Sequence, residues 1–238
     1  MTLIVALKCD DGLIIASDGR IVTDGEYHEA KKIFKLGRTL LMGAAGTTGV
    51  IQKVIEKLSG ATGSLANPTD RLAIEDRIYE VYVRHARMYK DLDSKFEDRF
   101  GGDMLICDAE NMYRFLMDGY SEPSSEYECI GSARPYGLSI LRDFYQPNLD
   151  LGRGKELAVY VVLQAIQISR DVGPPIQIAE TPKDKEARIL SEKEVNDIVD
   201  RINGRQKVLR MIWEALSERP ELKDEIQSLI SKKEIAKG

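Results

Sequence analysis

Two dense apolar runs open the chain. Residues 2–9 and 13–18 are rich in Ile, Val, Leu and Ala and are joined by Asp10-Asp11-Gly12, a strong hairpin signal, so the pattern predicts two paired strands. A hairpin this close to the start fixes Thr2 in space. A second pair is predicted over residues 30–35 and 39–45, with Leu36-Gly37-Arg38 as the turn and the later strand apolar enough to be buried on both faces. Four strands are thus expected before any helix.

After Gly46 the period changes. Val50, Val54, Ile55 and Leu58 recur at helical spacing until Ser59-Gly60, and Asn67-Pro68-Thr69-Asp70 reads as the start of a long helix reaching about Lys90. Residues 103–108 and 112–117 form another predicted hairpin around Ala109-Glu110-Asn111, and residues 126–130 a further strand. Helical spacing returns over residues 136–144 and 156–169, and a strand over 176–180 follows. Strands, two helices, strands, two helices, strand is the order of an α+β fold in which a sheet sandwich carries helices on both outer faces, a four-layer αββα arrangement.

The last third is more polar. Ser191 and Glu194 have capping-box spacing for a helix over 191–202, and beyond Gly204 a stripe of Val208, Leu209, Ile212, Trp213 and Leu216 is amphipathic. Pro220 interrupts it, and Leu222, Ile226, Leu229 and Ile230 resume it. The expected organisation is a main domain over residues 1–204 and a C-terminal helical extension over 205–238.

Composition changes the picture mainly by exclusion. With 238 residues, 43% hydrophobic, 31% charged and a net charge of −5, the chain has the make-up of a globular protein without a surface for nucleic acid or anionic membrane. No apolar stretch approaches the ~20 residues that span a bilayer, and the start lacks the basic region of a secretion signal, which together predict a cytoplasmic protein. Cys9, Cys107 and Cys129 are too few and dispersed for a disulfide framework and read as buried thiols. His28 and His85 lack partners at metal-ligand spacing, so no metal is expected.

The candidate chemistry begins at Thr2. A Thr at a free amino terminus combines a nucleophilic hydroxyl with an α-amine of ordinary pKa near ~8 that accepts its proton, and removal of Met1 would expose that amine. Such a centre needs a cation near the hydroxyl, a carboxylate holding the cation, and backbone donors for an oxyanion. Asp18 ends the second strand and Lys32 lies on the next, so a Lys–Asp pair beside Thr2 is geometrically reasonable. Gly46, where strand passes into helix, is the candidate oxyanion donor. Taken alone, Lys32 and Asp18 also read as a surface pair at strand ends, and Ser132 as a helix cap.

The order of Thr2, "LIIASDGR" (13–20), "AKKIFKL" (30–36), "MGAAGTTG" (42–49), "IGSARPYG" (130–137) and "ISRDVG" (168–173) resembles the β-type proteasome subunits and their bacterial relative, the HslV protease, over residues 2–202. These are N-terminal nucleophile (Ntn) hydrolases. The resemblance implies Thr2 as nucleophile, Lys32 as activating cation, Asp18 as its carboxylate and Gly46 as oxyanion donor. It implies Ser132 beside the terminal amine and Asp171 orienting Ser132 and Thr2. Arg20, Val22, Thr47 and Gly49 would border a groove in which a peptide adds as a strand. No cofactor is implied. The partners implied are a peptide or unfolded-protein substrate, further copies in a homo-oligomeric ring, and an ATP-dependent unfoldase.

Departures accompany the matches. The segment between Asp18 and Lys32 is shorter than in typical β subunits, and Val172-Gly173 follows Asp171 where the family commonly has a Ser. Arg134 replaces a small residue after the Gly-Ser turn, a bulky cation expected to narrow the site or to bind an acidic group. Only Met1 precedes Thr2, as in HslV-like chains matured by methionine removal. The expected function is a self-compartmentalised threonine endopeptidase. Its alternatives are an amidase or peptide ligase on the same fold, in which an amine takes the acyl group, and an inactive ring subunit acting as scaffold.

Overall fold

Alternation along the central strands decides which layer each side chain enters. In the computed structural model, which describes residues 2–23, 25–60, 70–90, 102–116 and 120–218, twelve strands and five helices are present among the described residues. The first sheet runs in the order β10 (Tyr127–Ile130), β1 (Ile4–Cys9), β2 (Gly12–Ser17), β11 (Gln177–Pro182), β12 (Arg188–Ile189). The second runs β5 (Ile33–Lys35), β6 (Leu41–Gly46), β7 (Gly102–Cys107), β8 (Met112–Leu116), β9 (Ser121–Pro123). All pairings within both sheets are antiparallel.

Ile4, Ala6, Leu13 and Ile15 of the first sheet face Ile33, Leu41, Leu105 and Cys107 of the second in one buried cluster. The intervening positions of β6 and β7, Met42, Ala44, Met104 and Ile106, turn the other way. They pack with Val50 and Val54 of α1 (Thr48–Ser59) and Ile74 and Ile78 of α2 (Arg71–Lys90). On the opposite outer face, α4 (Leu151–Ile168) packs on β1 and β2, with α3 (Arg134–Phe144) beside it. The predicted four-layer αββα sandwich is therefore the observed one. Gly43 permits the close approach of the sheets, since a Cβ there would meet Ile15 Cδ1 and Ile4 Cγ2, both at 2.7 Å.

One structure at the rim is absent from the sequence reading. Residues expected to be loop between Asp18 and Lys32 form a separate two-stranded ribbon, β3 (Arg20–Thr23) paired with β4 (Glu26–Glu29). All four residues of β4 are exposed, so the ribbon lacks the ~1.5–3 kcal/mol that each fully buried aliphatic side chain brings to the main sheets. The short strands β9 and β12 are likewise additions to the prediction.

The chain divides into two compact units, Met1–Asn196 and Asp197–Gly238. Helix α5 (Glu192–Glu218) starts in the first unit with the predicted capping box: Glu194 Oε2 accepts from Ser191 N at 2.8 Å, and Ser191 Oγ accepts from Glu194 N at 3.4 Å. In the second unit the helix continues through Gly204, where the sequence suggested a break. A lone helical Gly costs only ~1 kcal/mol, and the good helix formers around it offset that. Trp213 and Leu209 are exposed on this helix, and Pro220 with the predicted stripe 222–230 lies outside the described residues.

Candidate active site

Thr2 is held from several directions before its hydroxyl is considered. Its backbone nitrogen donates to Ser132 Oγ at 3.1 Å, and its carbonyl accepts from Ala133 N at 3.1 Å. The next residue, Leu3, donates its N–H to Asp18 Oδ1 at 2.9 Å and accepts from Asp18 N at 3.2 Å. Gly131, at φ 90°, packs against the Thr2 main chain, where a Cβ would overlap the Thr2 carbonyl. Position and orientation of Thr2 therefore come from β2 on one side and from the 131–133 turn entering α3 on the other.

Lys32 supplies the cation. Its Nζ donates to Thr2 Oγ1 at 2.9 Å, to Asp18 Oδ1 at 2.8 Å and to the Arg20 carbonyl at 2.6 Å, which uses all three ammonium donors. The pair is deeply buried, with Lys32 4% and Asp18 0% exposed. Asp18 also takes backbone N–H bonds from Arg20 at 3.2 Å and Gly173 at 3.3 Å on Oδ2, so the carboxylate is fixed by main chain as well as by Lys32. Burial lowers the Lys32 pKa from the ordinary lysine value, while the charge and hydrogen bond of Asp18 oppose that fall. The result is an ammonium aimed at a hydroxyl in a poorly solvated place, an arrangement that favours an alkoxide on Thr2.

Two hollows open on Thr2. One, of about 500 Å³, is lined by Thr2, Ile21, Val22, Gly46, Thr48, Asp103 and Ser132 among others. The second, of about 390 Å³, shares Thr2, Ile21, Gly46 and Thr48 and extends between Ala30, Phe34, Ile51 and Ile55. Gly46 ends β6 at φ 141°, a conformation that favours glycine, immediately before Thr47, the N-cap residue of α1. Here the positive end of α1 begins.

The predicted site residues do not all come together. Thr2, Gly46, Ser132 and Val22 line the first hollow and Lys32 the second, Asp18 lies fully buried behind Lys32, and Arg20 contributes its carbonyl rather than its side chain. Thr48 lines both hollows, whereas Thr47 and Gly49 line neither. Asp171 sits half-buried in the turn that carries Gly173. Arg134 departs from expectation: at the start of α3 its guanidinium bonds Glu128 Oε1 and the Cys129 carbonyl of β10 at 3.1 and 3.0 Å and does not line the hollows, because the mostly buried Glu128 carboxylate on that neighbouring strand outcompetes the cleft. Sequence reasoning missed Gly131, Ala133 and Gly173, which act through backbone. The Gly-Ser-Ala turn and the Val-Gly in place of a Ser were the available signals.

Several known proteins are similar to this chain. Residues 2–71 match the "Proteasome subunit" family model. The proteasome subunit beta of Methanococcus maripaludis is 26% identical over 217 residues, covering 86% of this chain and 94% of that protein. That of Methanocaldococcus jannaschii is 26% identical over 215 residues, covering 87% and 92%. Among solved structures, Anbu (ancestral beta-subunit) from Yersinia bercovieri superposes with a TM-score of 0.71 at 17% identity, covering 89% of this chain and 96% of that one. Anbu from Hyphomicrobium sp. strain MC1 gives a TM-score of 0.67 at 15% identity, covering 89% and 97%. Over most of its length in sequence, and in its fold, this chain is similar to the β-type proteasome subunits.

Proposed function

We propose that this chain is a threonine peptidase of a proteasome-like ring, with Thr2 as its nucleophile once Met1 has been removed. The observation that carries the reading is the 2.9 Å approach of Lys32 Nζ to Thr2 Oγ1 while the same ammonium is held by Asp18. The freed α-amine takes the hydroxyl proton, and Lys32 stabilises the oxygen as it attacks a peptide carbonyl. The tetrahedral oxyanion faces the Gly46 N–H at the start of α1. Collapse passes the proton to the departing amine and leaves an ester on Thr2, which water hydrolyses with the α-amine again acting as base.

Substrate lies as a strand between the Ile21-Val22 and Gly46–Thr48 segments, held by main-chain bonds. A side chain preceding the scissile bond enters the hollow of Ala30, Phe34, Ile51 and Ile55, whose lining favours an apolar group. The test compares the parent, with Met1 removed, and Thr2→Ala on an unfolded protein substrate. Cleavage by the parent and a loss of at least ~10³-fold in Thr2→Ala is expected. Equal rates would exclude the reading. Ring formation is supported by the β-subunit relatives, and a mass measurement in solution checks it.

A further inference from the structure

The β3–β4 ribbon is placed to matter beyond its size. Its first residue, Arg20, gives its carbonyl to Lys32 Nζ at 2.6 Å, and the next two, Ile21 and Val22, form one wall of the cleft. Yet an isolated two-stranded ribbon is marginal in water, and no residue of β4 is fully buried. Something must hold it against the sandwich.

Besides the backbone bonds at its base, Gly19 N to the Gly173 carbonyl at 3.0 Å and Ala30 N to the Gly19 carbonyl at 2.7 Å, the side-chain contacts that do so converge on Tyr27. In the antiparallel register Val22 faces Tyr27 and Arg20 faces Glu29, so Arg20 and Tyr27 are diagonal neighbours on one face. The Arg20 guanidinium carbon lies 4.5 Å from the centroid of the Tyr27 ring, and Arg20 Nη1 donates to the Arg170 carbonyl at 2.7 Å. Arg170 in turn donates Nε to Tyr27 Oη at 2.7 Å, with its guanidinium carbon 5.9 Å from the same ring. One aromatic ring thus serves two cations, and the closed circuit Arg20, Tyr27, Arg170 ties the ribbon to the turn whose Gly173 N–H holds Asp18. Gly173 leaves the space for this circuit, because a Cβ there would collide with the Arg20 guanidinium.

We infer that Tyr27 is a positioning residue for the site, clamping the ribbon so that the Arg20 carbonyl meets Lys32 and the Ile21-Val22 wall stays in place for a peptide. This rests on the threonine-nucleophile reading. The clamp acts on both ends of the catalytic pair, since one arm fixes an acceptor of Lys32 and the other anchors the turn that donates to Asp18.

The experiment uses the full chain with Met1 removed, in three forms: parent, Tyr27→Phe and Tyr27→Ala. Tyr27→Phe keeps the ring under Arg20 and loses the hydroxyl; Tyr27→Ala loses both. Two electrophiles selective for N-terminal Thr report by mass, a small one without peptide and one carried on an apolar tripeptide. Tyr27→Ala is expected to slow the tripeptide electrophile about tenfold and the small one about threefold, with Tyr27→Phe in between. Amide hydrogen exchange over residues 20–29 is expected to speed up by about tenfold in Tyr27→Ala while β1, β2 and β6 keep their protection. A general loss of structure would instead speed exchange in those strands and would overturn the clamp. A parent that reacts while both variants match it with both electrophiles also overturns the clamp and leaves Thr2 as nucleophile. A parent that forms no adduct overturns the nucleophile reading itself, and the positioning role with it.

Discussion

Two buried carboxylates, one just past the end of β2 and one on the neighbouring strand β11, meet different demands. Asp18, following β2, accepts three backbone N–H groups as well as Lys32, and both members of the pair are almost fully buried. Glu180 on β11 is also buried, but its two partners, Lys155 at 2.8 Å and Arg188 at 2.6 Å, have side chains 21% and 48% exposed. Arg188 continues outward to Glu194 at 2.7 Å. Lys32 is almost wholly buried and aimed at a hydroxyl, whereas the cations around Glu180 can be rehydrated and face no reactive group. The first arrangement is suited to chemistry, the second to joining β11, β12 and the start of α5.

Removing each carboxylate sharpens that difference. Asp18→Asn leaves a buried ammonium with a weakened partner, and an expected ~3–5 kcal/mol loss in stability by denaturant titration accompanies a fall of at least ~10²-fold in Thr2 reactivity. Glu180→Gln is expected to lose only ~1–2 kcal/mol, because Lys155 and Arg188 turn to solvent, and to leave Thr2 reactivity at the parental rate. Equal effects of the two substitutions on reactivity would erase the distinction.

pH separates them a second way. Burial raises the Glu180 pKa, but the hydrogen bonds and charges of Lys155 and Arg188 outweigh it and leave the group below the ordinary Glu value. Its stabilising contribution is therefore complete above pH ~4.3 and is lost as pH falls through the folded value, so the gap in melting temperature between parent and Glu180→Gln closes in acid. Lys32 moves the other way along the scale. Because its pKa is lowered, the alkaline fall in peptidase rate is expected at a lower pH than an exposed lysine of pKa ~10.4 would give, and the acid limb follows the Thr2 amine near pH ~8.

The smallest effect belongs to the outermost member. The hydrogen bond from Arg188, with those from Ser191, holds Glu194 down to about 2. Glu194→Ala removes the capping box at the start of α5, and a loss of ~0.5–1 kcal/mol with unchanged reactivity is expected by thermal melting.

What could be read from sequence followed the physics of each part. The long strands and their layers were legible because residues such as Ile4, Leu13, Leu41 and Leu105 are apolar at alternating depth, and the approach of Thr2, Asp18 and Lys32 followed from strand ends in a recognisable order. The β3–β4 ribbon was not, since Glu26-Tyr27-His28-Glu29 shows no apolar pattern and its hold on the sandwich comes from tertiary contacts, those of the Tyr27 ring and backbone bonds at its base. Asp24-Gly25 was nevertheless a usable hairpin signal. The parts played by Gly131, Ala133 and Gly173 lie in main-chain atoms, which side-chain reasoning does not weigh. Arg134 was misread because a residue type was assigned to the cleft without its nearest acceptor, Glu128, in view.

The chemistry proposed for the site depends on Thr2, with its amine freed, acting as a nucleophile activated by Lys32. Intact-mass analysis followed by reaction with an electrophile selective for N-terminal Thr and peptide mapping tests it most directly. A chain lacking Met1 and carrying one adduct on Thr2 is expected, with no adduct in a Lys32→Ala chain. Retention of Met1, or adduct formation that is as fast without Lys32, would contradict it.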